Sequence, residues 1–294
     1  MTSAMQLNTT RIASWNIQNG LGVDGVLSLE RIAETIRAMG DMDVICLQEV
    51  SVNMLLPDGS KDDQVAALSE LFKGYMPFFG VALDRLSADG KSREQFGNLI
   101  LSRLPVHSAF YHPLPQPADG SIKQMPRQLT EVTVQTASGP LRVMTTHLEF
   151  HSALQRQAQT ARIMALQNEV SALVAEPPLA VADTPYAQLE RPAACVVCGD
   201  FNFLKDSPEY QLLIDGAGAD SRFVDAWELA HPNTPHAPTC GIYDAAQWPQ
   251  GEHCRDFMFV TPGLADSVTG VAVDTVTGAS DHQPVCLSLL CDQG

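Results

Sequence analysis

No stretch of the chain approaches the ~20 consecutive apolar residues that a membrane-spanning helix needs, which excludes a helical membrane protein. The first residues, Met1 to Arg11, lack the basic-then-apolar order of a secretory signal, so the expected location is the cytoplasm. Basic residues are scarce: 18 Lys and Arg stand against 34 Asp and Glu, a formal net charge of -16. That balance argues against a broad basic surface for gripping nucleic acid. It leaves room for a phosphate ligand, because clustered carboxylates can be offset by a bound cation. The seven cysteines show one paired spacing, Cys195-x-x-Cys198, with no second pair behind it. On a strand those two point to opposite faces, so the cysteines read as reduced core residues rather than zinc or redox groups. A zinc hydrolase would need a His-x-x-x-His pair or a Cys/His cluster; neither is read here, so that reading fails on ligand type.

What is present suits a globular enzyme. The 294 residues are 45% apolar and 18% charged, enough for one large core. No break in composition and no internal repeat divides them, so a single domain spanning 1–294 is expected. Strands are predicted at Arg11–Ile17, Asp43–Glu49, Pro77–Ala82, Asn98–Ser102, Leu129–Thr136, Leu141–Leu148, Ala194–Cys198, Asp256–Thr261, Val268–Val273 and Val285–Leu290. Helical spacing over Val26–Met39 ends at Gly40, a second helix is predicted over Asp62–Phe72, and a long one runs from Ser152 until Pro177-Pro178 stops it. Segments Tyr111–Pro126, Pro177–Pro192 and His231–His253 read as surface loops, with His231, His236 and His253 solvated. Many antiparallel strands and few crossover helices predict an α/β fold of two packed sheets with helices outside, not a doubly wound parallel sheet.

The chemistry sits at the strand ends. The apolar run Ala194–Cys198 leads into Gly199-Asp200-Phe201-Asn202, where Asp200 and Asn202 would project to one side of an extended chain. Glycine there lets the backbone approach closely. Ile12–Trp15 leads to Asn16, Val44–Gln48 to Glu49, and Leu141–Thr146 to His147. Asp256 opens Phe257–Val260, and Ser280-Asp281-His282 precedes the final strand. Taken singly, each is an ordinary turn residue, surface carboxylate or hydrogen-bonded histidine. Six such coincidences are hard to dismiss.

Trp15-Asn16-Ile17-Gln18, Gln48-Glu49-Val50, Gly97-Asn98, Thr146-His147-Leu148, Gly199-Asp200-Phe201-Asn202 and Ser280-Asp281-His282 resemble the ordered motifs of the endonuclease/exonuclease/phosphatase superfamily. That group includes DNase I-like nucleases, abasic-site endonucleases, neutral sphingomyelinases, inositol polyphosphate phosphatases and deadenylases. The resemblance covers residues 11 to 290 and implies a four-layer α/β sandwich. It also implies a divalent-metal-dependent phosphoesterase. Glu49 would be the main ligand of Mg²⁺ or Mn²⁺, assisted by Asn16 and completed by Asp281; oxygen donors suit such hard cations. Asp200 would orient or deprotonate the attacking water, and Asn202 would hold it or a phosphate oxygen. His282 would contact the scissile phosphate, with Asp256 fixing its tautomer, and His147 would donate to a non-bridging oxygen.

Gln18 stands where some nucleases of the superfamily carry an acid, which puts a second carboxylate ligand in doubt. Glu94 lies near the place of a glutamate that buttresses the first catalytic histidine in DNase I-like enzymes. Asn98 and Arg127 are substrate-binding candidates, Arg127 because a guanidinium matches a phosphate bidentately. Glu149 and His151 would extend the site or cap the long helix. The expected reaction is hydrolysis of a phosphodiester, with a small-molecule or lipid-headgroup phosphatase as the alternative and a non-catalytic scaffold third. Nucleic acid, a lipid headgroup and a small phosphodiester all stay open as substrates, Trp248 being a residue that would stack on a base.

Overall fold

Strands buried on both faces read as unbroken apolar runs, and the runs around Ile12 and Val44 are of this kind. The computed structural model describes residues 9–216, 222–245 and 247–291. In it β1 (Thr9–Asn16) and β2 (Val44–Val52) pair in parallel at the centre of one six-stranded sheet. Strands β3 (Met76–Leu86) and β4 (Arg93–Ser102) extend that sheet beyond β2. The second sheet takes β5 (Val106–Pro113), β6 (Gln128–Thr136), β7 (Gly139–His147), β8 (Cys195–Asp200), β9 (Val224–Asp225) and β10 (Asp256–Val260), in the order β5-β6-β7-β8-β10-β9. Strands β11 (Val268–Val273) and β12 (Val285–Leu290) return to the first sheet, whose order is β11-β12-β1-β2-β4-β3.

Ile12, Val44, Cys46, Ile100, Val132, Val143, Val196 and Cys198 belong to the core between the sheets. Helices α1 (Leu29–Ala38) and α2 (Gln64–Leu71) cover the outer face of the first sheet over Ile45 and Leu99. Helices α3 (Ala153–Ala175) and α4 (Pro208–Asp215) cover the second over Met144 and Val197. A short helix, α5 (Ala226–Ala230), follows β9. The expected architecture of two packed mixed sheets flanked by helices is therefore the observed one. Among the described residues no helix is long and apolar enough to cross a membrane. Cys195 packs outward and Cys198 inward, and every cysteine is free.

Local chemistry explains the helix ends. Ser28, Asp63, Ser152 and Ser207 each accept a hydrogen bond from a backbone N–H of the first turn. Helix α4 escaped the sequence reading although Ser207-Pro208-Glu209 is a standard helix start; at eight residues it offers little periodicity. Strand β5 was also missed, and Tyr111–Pro113 belong to it rather than to the loop. It is an edge strand with half-exposed side chains, so its pattern is blurred. Segment 231–253 is not a solvated loop. His231 bonds the Val271 carbonyl at 2.7 Å, His236 bonds Asp225 at 2.8 Å, and His253 bonds the Gly251 carbonyl at 2.7 Å. Cys240 anchors the segment through isolated bridges to His253 and His282.

The topology brings the reactive ends together. In both parallel pairs, β1–β2 and β7–β8, the C-terminal ends lie side by side. The antiparallel partners β10 and β12 begin at that same edge, Asp256 opposite Asp200 and Val285 opposite Ser14. Gly199 is needed for this approach. Its φ is +140° and an added Cβ would lie 1.9 Å from the Thr146 carbonyl oxygen. Gly199→Ala is expected to cost about 1–3 kcal/mol and to displace His147 and Asp200 together. A denaturant melt as stable as that of the parent would contradict this account of the strand contact.

Candidate active site

A cavity of about 540 Å³ opens at this edge, lined by Asn16, Glu49, His147, Asp200, Asn202, Asp281 and His282 among others. Glu49 reaches it through a bulge in β2, where the pairing with β4 shifts between Leu47 and Val50 and Glu49 takes φ +59°. The strand thus does not stop at Glu49 but turns it aside. Asp200 ends β8, and the chain then folds into a left-handed turn at Asn202, φ +53°, closed by the Asn202 N–H on Asp200 Oδ1 at 3.0 Å. The two residues share the cavity through that turn, not through an extended chain. Asn202 Nδ2 is tied to the Leu148 carbonyl at 3.0 Å.

Asn16 bridges the acids: its Nδ2 donates to Glu49 Oε1 and to Asp200 Oδ2, each at 3.1 Å, while its Oδ1 accepts the Gln18 N–H. The Ser280-Asp281-His282 segment is pinned beside it. Ser280 Oγ donates to the Asn16 carbonyl at 2.8 Å, and Trp15 Nε1 to the His282 carbonyl at 2.8 Å. His282 Nδ1 lies 2.8 Å from Asp256 Oδ2, and its Nε2 lies 3.7 Å from Asp200 Oδ2. His147 stands between acids too, Nε2 at 3.4 Å from Asp200 Oδ2 and Nδ1 at 3.8 Å from Glu49 Oε1.

The two histidines are driven in opposite directions, a pattern that separates acid–base roles. Burial, the Arg127 charge and His282 push His147 down to about 3, so it is neutral. Burial opposes a proton on His282, but the carboxylates of Asp256 and Asp200 outweigh it and hold the imidazole well above its ordinary pKa. Burial also works against ionisation of Asp200, yet the charge of His282 and the Asn16 and Asn202 donors keep it below its usual value. Glu49 goes the other way, raised to about 7 by burial and by Asp281. Asp281 is raised by burial and by Asp200.

That surplus of negative charge among oxygen donors is what a hard divalent cation would neutralise. Glu49 and Asp281, beside the Asn16 amide, fit such an ion. Asp200, Asp256 and His282 also bring a ligand atom each within 4.8 Å of one another. There His282 Nδ1 is already hydrogen-bonded to Asp256 Oδ2, while Asp256 Oδ1 has no partner among the described residues.

The remaining candidates separate clearly. Arg127 and Glu149 line the cavity and are buried; Arg127 Nε donates to Glu149 Oε2 at 3.2 Å, and its NH1 has no partner among the described residues. Glu149 also accepts the Met125 and His151 N–H groups, while the helix itself is capped by Ser152. Asn98 does not line the cavity; its amide donates to the Gln128 carbonyl at 3.2 Å. Glu94 pairs with Arg85 at 3.0 Å and Lys61 at 3.6 Å, and the carboxylate nearest His147 Nδ1 is Glu49 instead. His147 and His151 do stand four apart, a spacing the sequence reading passed over. They share no helical face, since β7 ends at His147 and α3 begins at Ala153. His151 lines the cavity as well, with Lys123, Gln124, Met125, Phe150, Gln247 and Trp248. Phe150 carried no sequence signal, because only folding brings it to the cavity.

The sequence model of the Endonuclease/Exonuclease/phosphatase family matches residues 13–282. Among solved structures the chain is similar to an endonuclease/exonuclease/phosphatase from Beutenbergia cavernae. The identity is 26% over 97% of this chain and 72% of that one, with a TM-score of 0.64. It is also similar to a mannosyl-6-phosphatase from Bacteroides thetaiotaomicron (19% identity, 95% and 98% coverage, TM-score 0.66). A third similar structure is TDP2 from C. elegans (16% identity, 97% and 76% coverage, TM-score 0.61). No curated protein sequence matches the chain.

Proposed function

The chain belongs to the endonuclease/exonuclease/phosphatase family, and from that premise we propose that it is a Mg²⁺- or Mn²⁺-dependent hydrolase of phosphodiesters. The observation that carries the proposal is the pair of oppositely driven histidines flanking an ionised Asp200 in one cavity. In-line displacement at phosphorus needs an oriented water, charge stabilisation and help for the leaving oxygen. Asp200 Oδ2 accepts the hydrogen bond of the attacking water, and Asn202 steadies that water or a phosphate oxygen. The protonated His282 Nε2 donates to a phosphate oxygen, with Asp256 on Nδ1 keeping the ring oriented and charged. Neutral His147 donates an N–H to a non-bridging oxygen without adding a second positive charge. The unspent NH1 of Arg127 clamps the same phosphate. A divalent ion held by Glu49 and Asp281, with Asn16 beside them, would supply neutralisation of the phosphate charge.

A phosphatase acting on a small molecule or lipid headgroup is the second reading. The net charge of -16 and the likeness to a mannosyl-6-phosphatase favour it over a nuclease. The test is a panel of DNA, RNA, bis-p-nitrophenyl phosphate, sphingomyelin and inositol phosphates. Turnover of bis-p-nitrophenyl phosphate is expected, abolished by EDTA and restored by Mg²⁺ or Mn²⁺. Failure to hydrolyse any member of the panel with either metal would refute the proposal. Nucleic acid as the true ligand would show as a steep fall of affinity with salt.

A further inference from the structure

Trp248 lines the cavity and is only 2% exposed. Stacking on a nucleobase, the role its sequence context suggested, needs an open ring face. Here the Arg255 guanidinium lies over the ring, 4.7 Å from its centroid. Phe150, His253 and His282 crowd it edge-on at 5.6, 4.8 and 6.3 Å. The indole N–H is different: it is buried and has no acceptor among the described residues. Indole nitrogen can only donate, and a buried donor left unmet is costly.

We propose that Trp248 is a specificity-determining residue that donates its indole N–H to an oxygen on the alcohol portion of the substrate, with Arg255 as its positioning residue. The inference rests on the phosphoester-hydrolase reading above and narrows its substrate class. The favoured esters carry further hydroxyl or ring oxygens beside the phosphate, as polyol and sugar esters do. Arg255 is built for the positioning role. Its Nε donates to His253 Nε2 at 2.9 Å, its NH1 donates to the Asn202 carbonyl at 2.8 Å, and its charge also sits 5.8 Å from the Phe150 ring. One guanidinium thus ties the loop that carries Trp248 to the turn that carries Asn202. Lysine keeps the charge but lacks the planar fork that spans both.

The first measurement needs no variant: kcat/KM of the wild-type protein on glyceryl and propyl esters of phosphate, which differ only in hydroxyls. A preference for the glyceryl ester of about tenfold is expected, the worth of one hydrogen bond at a site built to make it. Trp248→Phe keeps the ring and removes the donor. It should collapse that ratio toward unity by lowering kcat/KM on the glyceryl ester more than on the propyl ester. Arg255→Met should lower kcat on both esters through Asn202 and erase the ratio as well, and Arg255→Lys should recover part of each. A wild-type protein that does not prefer the glyceryl ester overturns the inference. So does a Trp248→Phe protein that retains the preference or loses both activities equally. Activity on bis-p-nitrophenyl phosphate with none on either ester sinks the inference alone; inactivity on every ester sinks the hydrolase reading itself.

Discussion

Asp200→Asn is expected to lower kcat/KM on an activated phosphodiester by about 10²–10⁴-fold while the protein stays folded. The side chain is buried, and four groups converge on it: Asn16, Asn202, His147 and His282. An amide of the same shape preserves packing but removes one of the charges that, with Asp256, keep His282 protonated, and the acceptor that orients water. His282→Ala should cost a similar factor, because it deletes the imidazolium beside Asp200. Residues acting as one unit are not additive, so the double variant should be little worse than either single one. Steady-state kinetics beside a thermal melt checks this. Full activity in a folded His282→Ala protein would end the mechanism.

Glu131→Ala is expected to destabilise the protein by roughly 3–5 kcal/mol, far from the cavity. Glu131 and Arg142 are fully buried, and the carboxylate accepts from Arg142 at 3.0 Å, Arg191 at 2.6 and 2.9 Å, and His112 at 3.0 Å. Removing it strands the Arg142 charge inside the sheet. A chain of this length should then melt on the order of 10 °C lower. Replacing Glu131 and Arg142 together by methionine should recover part of the loss, since the fully buried Arg142 charge goes with its partner while the less buried Arg191 still loses its carboxylate. Burial pushes the Glu131 pKa up, but His112, Arg191 and Arg142 outweigh it and depress it strongly. A depressed carboxylate stabilises fully above its unfolded value of 4.5 and loses that contribution as pH falls through the lower folded value. The parent's acid-denaturation curve should therefore steepen below about pH 4.5, and that part of the curve should be absent from the double methionine variant. Equal melting of parent and Glu131→Ala would contradict the assignment.

Glu131 shows where sequence pattern fails. In Gln128–Thr136 it occupies the kind of position expected to face water, yet it is fully buried. Its partners come from β7 and from the 177–192 loop, 11 and 60 residues away, and no local pattern announces them. Asn98 and Glu94 err in the opposite sense: residue types suited to phosphate chemistry are spent on the Gln128 carbonyl and on Arg85. Helix α4 was there to be read in Ser207-Pro208-Glu209, a signal of capping rather than of period. Phe150 and Arg255 could not have been found, because their neighbours are created by the fold.

The order of apolar runs and the polar residues that end them determined the two-sheet architecture and the set Asn16, Glu49, His147, Asp200, Asn202, Asp256, Asp281 and His282. Strand period and the chemistry of side-chain oxygens and imidazoles are local properties, and they survive in one dimension. Which histidine carries charge was decided only by tertiary structure, because that depends on carboxylates and arginines brought close by parallel pairing across the sheets. The same holds for Gly199-Asp200-Phe201-Asn202. Its same-side geometry comes from a left-handed turn at Asn202, latched by Arg255 from a distant loop, and not from the extended chain its residues suggest.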